Sequence, residues 1–267
     1  MQKKFFLPLG FLAAFILWTL GVCFVDVQAI GPNGSSVGFG AINGFVHNLT
    51  GVHFSLYLLT DWLGLIPLLI CLCFGITGLW QWLSRKQLRL VDPDILILGG
   101  FYGIVIAIFF LFEFFPINFR PVLIEGILEA SYPSSTTLLT LCVMPTAAIV
   151  LSRRFTGRWI RVLLYSFTFF MVIGRFLSGV HWFSDIVGGI LLSVGLVTLY
   201  AALTACRKNE RYFRRQSTEC NDRKKGSNAS HRIPAGIFYG RFLYPNPEIL
   251  GGSHGASVRC HGWLSHR

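Results

Sequence analysis

Three short stretches of the 267-residue chain hold side chains able to handle a phosphate. Arg120-Pro121 is the first, Ser131-Tyr132-Pro133-Ser134-Ser135-Thr136-Thr137 the second, and Arg175, His181 and Asp185 form the third. His181 and Asp185 are four apart, so on one helix they would share a face. There a carboxylate can accept the imidazole N–H, fix its tautomer and stabilise the charge it gains on attack. Arg175 lies beyond a Gly179 hinge and offers a planar fork to phosphate oxygens. Pro133 suits the first turn of a helix, which would leave the N–H groups of Ser134, Ser135 and Thr136 free at the positive end of a helix dipole. Two guanidiniums, a helix N-terminus and a His–Asp pair together describe a phosphate held for nucleophilic attack. Each group also has a plainer reading: a His and Asp that satisfy each other, an Arg that snorkels, hydroxyls that cap a helix.

The elements that must position these groups are membrane spans. Hydrophobic residues make up 53% of the chain and charged ones 13%, with a mean hydropathy of +0.59. An ordinary globular domain carries about 25% charged residues, so a water-soluble enzyme is excluded, as is disorder over most of the length. A spanning helix needs about 20 mostly apolar residues. Six stretches qualify, at 5–25, 63–83, 95–115, 136–151, 162–173 with its flanks, and 186–206. The expected fold is therefore all-α, a polytopic bundle of six transmembrane helices.

The charges between the spans alternate. Lys3 and Lys4 precede the first; Arg85, Lys86 and Arg89 follow the second; Arg153, Arg154, Arg158 and Arg161 follow the fourth. The connection 26–61 has no Lys or Arg, and the third and fifth connections hold only Arg120 and Arg175. Cytoplasmic loops collect Lys and Arg, so both termini are expected inside and all three candidate groups outside. Val27-Gln28-Ala29 resembles a signal cleavage site, but the preceding apolar core exceeds the roughly 7–15 residues of a signal peptide, and we read an uncleaved span. Residues 1–206 thus form the membrane domain. Residues 207–267 hold twelve of the 23 basic residues against four of the 12 acidic ones, with no periodicity. They read as a disordered cytoplasmic tail attracted to anionic head groups. Five cysteines sit in or beside spans as small hydrophobes, and Cys71-Leu72-Cys73 has the wrong spacing for a metal knuckle.

Arg120-Pro121, Tyr132-Pro133-Ser134-Ser135-Thr136, and Gly174-Arg175 followed by His181 and Asp185 resemble the three motifs of the type 2 phosphatidic acid phosphatases, relatives of the vanadium haloperoxidases. The resemblance covers about 50–205. It implies a six-span helical bundle with the site on the extracytoplasmic face, in agreement with the charges. It further implies that His181 is a nucleophile forming a phosphohistidine and Asp185 its orienting partner. Arg120 and Arg175 would neutralise phosphate oxygens, with Ser134, and beside it Ser135 and Thr136, binding the same phosphate. No metal or other cofactor is implied.

Two motif positions depart from the family. Glu113 stands where the first motif carries Lys, and Ser135-Thr136 stand where the second carries Gly-His. That His is the family's general acid for the leaving alkoxide, and general acid catalysis is worth about 10²–10⁴-fold. A Thr hydroxyl cannot replace it, so a leaving group that is already a stabilised phosphate is favoured, as in a polyprenyl diphosphate. His47 and His53, the remaining His residues outside the tail, are candidate replacement acids but read first as interfacial residues, and Asp61 reads as an interfacial cap. The expected function is a lipid phosphatase of the plasma (inner) membrane acting on a lipid phosphate or diphosphate. A lipid phosphotransferase, and a weakened binder of lipid phosphates, stand as alternatives. Nucleic-acid binding is excluded by the spans, and a channel by the lack of ionisable series within them.

Overall fold

Inside a bilayer every backbone N–H and C=O must find its partner within the protein, which leaves long apolar segments the helix as their stable form. The computed structural model describes residues 3–154 and 158–230. Its helices are α1 (Lys3–Phe24), α2 (Gly40–Thr50), α3 (Phe54–Leu63), α4 (Leu65–Arg85), α5 (Pro93–Phe114), α6 (Ser135–Arg154), α7 (Arg158–Leu177) and α8 (Phe183–Ser230). Among the described residues there are isolated β-bridges but no strands. Among the described residues, six segments are long and apolar enough to cross a membrane: Lys4–Phe24, Phe54–Arg85, Pro93–Phe114, Ser135–Ser152, Arg158–Leu177 and Phe183–Arg207. The all-α six-span expectation holds.

The second span differs from the reading at its start. It consists of α3 and α4, which meet at Gly64, and the Gly64 N–H bonds to the carbonyls of Thr60 and Asp61. Polar Ser55, Thr60 and Asp61 interrupt the hydropathy of this stretch, so the sequence concealed α3.

The helices differ in depth. The apolar window of α6 is 56% buried and that of α8 50%, against 6% for Phe54–Arg85. Cys142 and Val143 of α6, Leu192 and Tyr200 of α8, Leu98 and Tyr102 of α5, and Phe15 and Val22 of α1 form one core cluster. Leu17, Leu69, Phe110 and Phe169 face outward, as a lipid-solvated rim requires. Hydroxyls in the core turn back on their own helices, as in Thr146 Oγ1 to the Cys142 carbonyl at 2.6 Å. Cys23, Cys71, Cys73, Cys142 and Cys206 are free.

Between α5 and α6 the chain forms a small hairpin. Arg120 N–H donates to the Glu129 carbonyl and Ser131 N–H to the Asn118 carbonyl, while Ile124 and Ile127 exchange bonds across the tip. Extended backbone has a period of two, so Asn118 and Arg120 on one arm stand opposite Ser131 and Glu129 on the other. The Tyr132–Pro133 bond at its exit is cis. By contacts the chain divides into Met1–Gln216, which holds the spans, and Ser217–Arg267. The backbone of α8 is helical through Ser230, and the remainder of the basic tail, 231–267, lies outside the described residues.

Candidate active site

The end of the bundle where α5 and α7 finish and α6 and α8 begin gathers the motif residues. His181 sits in the turn between α7 and α8, not on α8 itself, because α8 starts at Phe183. The shared-helix-face geometry read from the sequence is therefore replaced by a bridged one. Ser131 Oγ lies 3.0 Å from His181 Nδ1 and also makes a short hydrogen bond to Asp185 Oδ2. Asp185 is fully buried. Its oxygens further accept from Asn118 Nδ2 at 3.2 Å, the Trp182 N–H at 3.0 Å and Ser184 Oγ at 3.3 Å. Ser184 is in turn locked to Asn43 of α2 by two bonds, Asn43 Nδ2 to Ser184 Oγ and Ser184 N–H to Asn43 Oδ1.

The turn carrying His181 needs Gly179. Its φ is +69°, and a Cβ there would collide with the Gly51 carbonyl oxygen. The Ser178 carbonyl beside it accepts the His53 N–H. His53 also holds the Thr50 carbonyl with its ring, which makes it a residue of that turn.

Arg120 and Arg175 come together around Tyr57 of α3, their Cζ atoms 5.9 and 4.9 Å from its ring centroid. An aromatic face attracts both cations and offsets part of their repulsion. Each guanidinium is anchored on one side by a carboxylate nearer the surface: Arg120 by Glu129 at 3.0 Å and Arg175 by Asp61 at 3.1 Å. Arg175 also donates to Thr60 Oγ1 and the Tyr57 carbonyl. Asp61 is thus a partner of Arg175 rather than an interfacial cap. Glu113 is exposed and shares a small cavity with Ser131, Pro133 and Ser135, while the acid on Arg120 is Glu129.

The helix N-terminus also differs from the reading. α6 begins at Ser135, and Ser134 precedes it as a cap: its carbonyl accepts the Leu138 N–H and its Oγ accepts from Thr137 Oγ1 at 3.0 Å. Its own N–H is taken by the Asp185 carbonyl at 3.2 Å, so it is not a free donor, whereas its hydroxyl proton remains to be given. Ser135 and Thr136 line a groove of about 390 Å³ with Asp61, floored by Leu65, Leu68, Phe109 and Leu139. Hydrogen bonds join Ser134, His181 and Asp185 in one network through Ser131 and the Asp185 carbonyl, Arg120 and Arg175 meet around Tyr57, and Thr136 stands at the polar end of an apolar groove.

Several buried polar atoms have no hydrogen-bond partner among the described residues: Arg120 Nε and Nη1, Arg175 Nε, and His181 Nε2. Native interiors rarely leave such groups unpaired, and these are guanidinium donors beside a ring nitrogen. Burial, with the charges of Arg120 and Arg175, pushes the His181 imidazole well below its ordinary value, so it is neutral. His47 packs its ring 5.3 Å from that of Trp182, with Nδ1 buried and unpartnered, and burial lowers its pKa too. Among the described residues no group of three or more His, Cys, Asp or Glu is placed to hold a metal ion. Tyr57, Asn118, Glu129 and the bridging place of Ser131 were not found by sequence reasoning. The one available signal was the alternation Asn118-x-Arg120 and Glu129-x-Ser131.

Residues 93–209 match the model of the PAP2 superfamily, a segment that contains all three motifs. A solved transmembrane PAP2-type phosphatidylglycerolphosphate phosphatase from Bacillus subtilis aligns with 75% of this chain and 96% of its own, at 18% identity and a TM-score of 0.46. No curated protein sequence matches the chain.

Proposed function

We propose that this chain, with a PAP2-superfamily segment at 93–209, is an integral membrane lipid phosphatase. In this reading it hydrolyses a lipid phosphate or diphosphate at the extracytoplasmic face through a phosphohistidine. The unpartnered Arg120 Nε and Nη1, Arg175 Nε and His181 Nε2 carry the reading. Three donors and one nucleophilic lone pair, all buried, match the needs of a phosphoryl group about to be transferred.

His181 Nε2 attacks phosphorus while the bond from phosphorus to the leaving oxygen breaks. The guanidiniums stabilise the charge on the non-bridging oxygens, and Ser134 donates its free hydroxyl proton to one of them. The departing oxygen takes a proton from solvent or leaves as a phosphate. Water then attacks phosphorus, the P–N bond breaks, inorganic phosphate is released and neutral His181 is restored. The groove beside Thr136 accepts the lipid tail. The extracytoplasmic placement is supported by the basic residues at the opposite end of the spans, Arg85, Lys86 and Arg89 with Arg158 and Arg161.

Phosphate release from lipid mono- and diphosphates by detergent-purified protein tests the reading. His181→Ala is expected to abolish release, and EDTA to leave it intact. Release that survives His181→Ala overturns the mechanism.

A further inference from the structure

We infer that Ser131 is a positioning residue through which Asp185 acts on His181, and that its hydroxyl sets which imidazole nitrogen is free to attack. The inference rests on the reading of His181 as nucleophile. Every hydrogen bond to the Asp185 carboxylate comes from a donor: Asn118 and Ser184 at Oδ1, and the Trp182 N–H with Ser131 at Oδ2. A carboxylate so surrounded acts as acceptor only. Ser131 has one proton, and that proton goes to Asp185. Its oxygen, 3.0 Å from His181 Nδ1, is then left to accept. Nδ1 must carry the hydrogen, and the lone pair falls on Nε2, the unpartnered atom.

The hydroxyl thus converts the charge of a fully buried carboxylate into a tautomer choice on a ring that the acid does not touch. When Nε2 bonds to phosphorus, the ring gains positive charge. The chain Nδ1–H to Oγ, Oγ–H to Oδ2 carries the compensation. The hairpin fixes this bridge, because Ser131 N–H is held by the Asn118 carbonyl and Asn118 itself reaches Asp185. Ser131 is 2% exposed, which keeps water from taking its place.

The test compares wild type, Ser131→Ala, Asp185→Asn and the double variant as detergent-purified proteins, with kcat, KM and pH profile measured on one lipid phosphate. Ser131→Ala is expected to lower kcat roughly 10–10³-fold, as loss of a tautomer-fixing partner does, with KM within about twofold. It also removes the hydroxyl oxygen that accepts from Nδ1–H, a contact stronger for a charged ring, so the acid limb of kcat/KM moves to lower pH. The double variant should be no slower than Asp185→Asn alone, since the acid works through the hydroxyl. If Ser131→Ala does not purify as a folded protein, Ser131→Cys takes its place with the same expected directions. A kcat within about twofold of wild type, an unmoved acid limb, or a double variant slowed by the product of the single effects would each overturn the bridge. The underlying reading fails separately: an active His181→Ala, or an inactive wild type, removes the nucleophile and the bridge with it.

Discussion

Burial, with the charges of Arg120 and Arg175 beside it, makes protonation of His181 unfavourable, and the proposed nucleophile is therefore held in its neutral form. The sign has two consequences. The acid limb of kcat/KM should fall well below pH 6.5, the ordinary histidine value, because the free enzyme stays neutral there. Folding stability should decline as pH drops below about 6.5, since the unfolded chain then binds a proton the folded site refuses. Denaturation midpoints in detergent across pH 5–7, in wild type and His181→Ala, check the second point, and the variant should lose part of the slope. Asp61 gives another residue-scale prediction. Its carboxylate holds Arg175 from the side that faces the groove, so it competes with an incoming phosphate. Opposite charges about 4 Å apart interact with roughly 1–4 kcal/mol between water and a protein surface, and Asp61 is half-exposed. Asp61→Asn should therefore tighten inhibition by inorganic phosphate about tenfold, while Thr60 and the Tyr57 carbonyl keep Arg175 in place. Residue types and spacing made Arg120, Arg175, His181 and Asp185 legible in the sequence. Asp61 and Ser131 were in view but their contacts were not, because an ion pair between positions 61 and 175 and a bridge between 131 and 181 leave no local pattern.

At the scale of elements, the site exists because α8 accepts the segment before α6 at very short range. A Cβ on Gly188 would lie 2.6 Å from the Tyr132 ring, whose hydroxyl is already bonded to Thr19 at 2.7 Å. Tyr132 is the neighbour of Ser131 and buried, so its ring has little freedom to yield. Gly188→Ala should cost about 1–3 kcal/mol by overpacking and lower kcat as Ser131 shifts. Gly99→Ala in α5, where nothing lies within 4 Å, serves as the neutral control. Thermal inactivation and kcat of both variants decide the matter; equal behaviour would show that α8 tolerates the methyl group. Hydropathy revealed the spans because lipid contact is an average over about 20 residues. It could not reveal α3, where Ser55, Thr60 and Asp61 interrupt the apolar run, or the hairpin at 118–131, which is short and held by bonds between its arms. Of the three N–H groups expected free at the start of α6, that of Ser134 is taken, for a related reason. Ser134 reads locally as a cap or an anion donor, and only the approach of α8, which brings the Asp185 carbonyl to its N–H, decides between them.

For the whole molecule, the charge pattern and the groove together bear on the proposed orientation and substrate. Apart from Arg120 and Arg175, the connections at the site end carry no Lys or Arg, and beyond Asp61, Ser135 and Thr136 the groove is apolar. If that end faces outward, Ile127→Cys at the exposed hairpin tip, made in a Cys23→Ser background, should react with an impermeant thiol reagent on intact cells. Protection until lysis would reverse the orientation. A lipid that enters the groove from the side places its head at Thr136 and Asp61, where the second motif of the family offers an imidazole and this chain a methyl and a hydroxyl. An alkoxide leaving from a lipid monophosphate needs a proton at that point, and its absence is expected to slow turnover by about 10²–10⁴-fold. A diphosphate lipid leaves as a phosphate and needs far less. The kcat/KM for a polyprenyl diphosphate should accordingly exceed that for a phosphatidic acid, and Thr136→His should narrow the gap by raising the monophosphate rate alone. His47→Ala separates this from rescue by a second histidine. If its ring beside Trp182 donates the missing proton, the change will depress monophosphate turnover selectively. If monophosphate and diphosphate are cleaved equally well in wild type and in His47→Ala, the leaving group does not govern the choice of substrate.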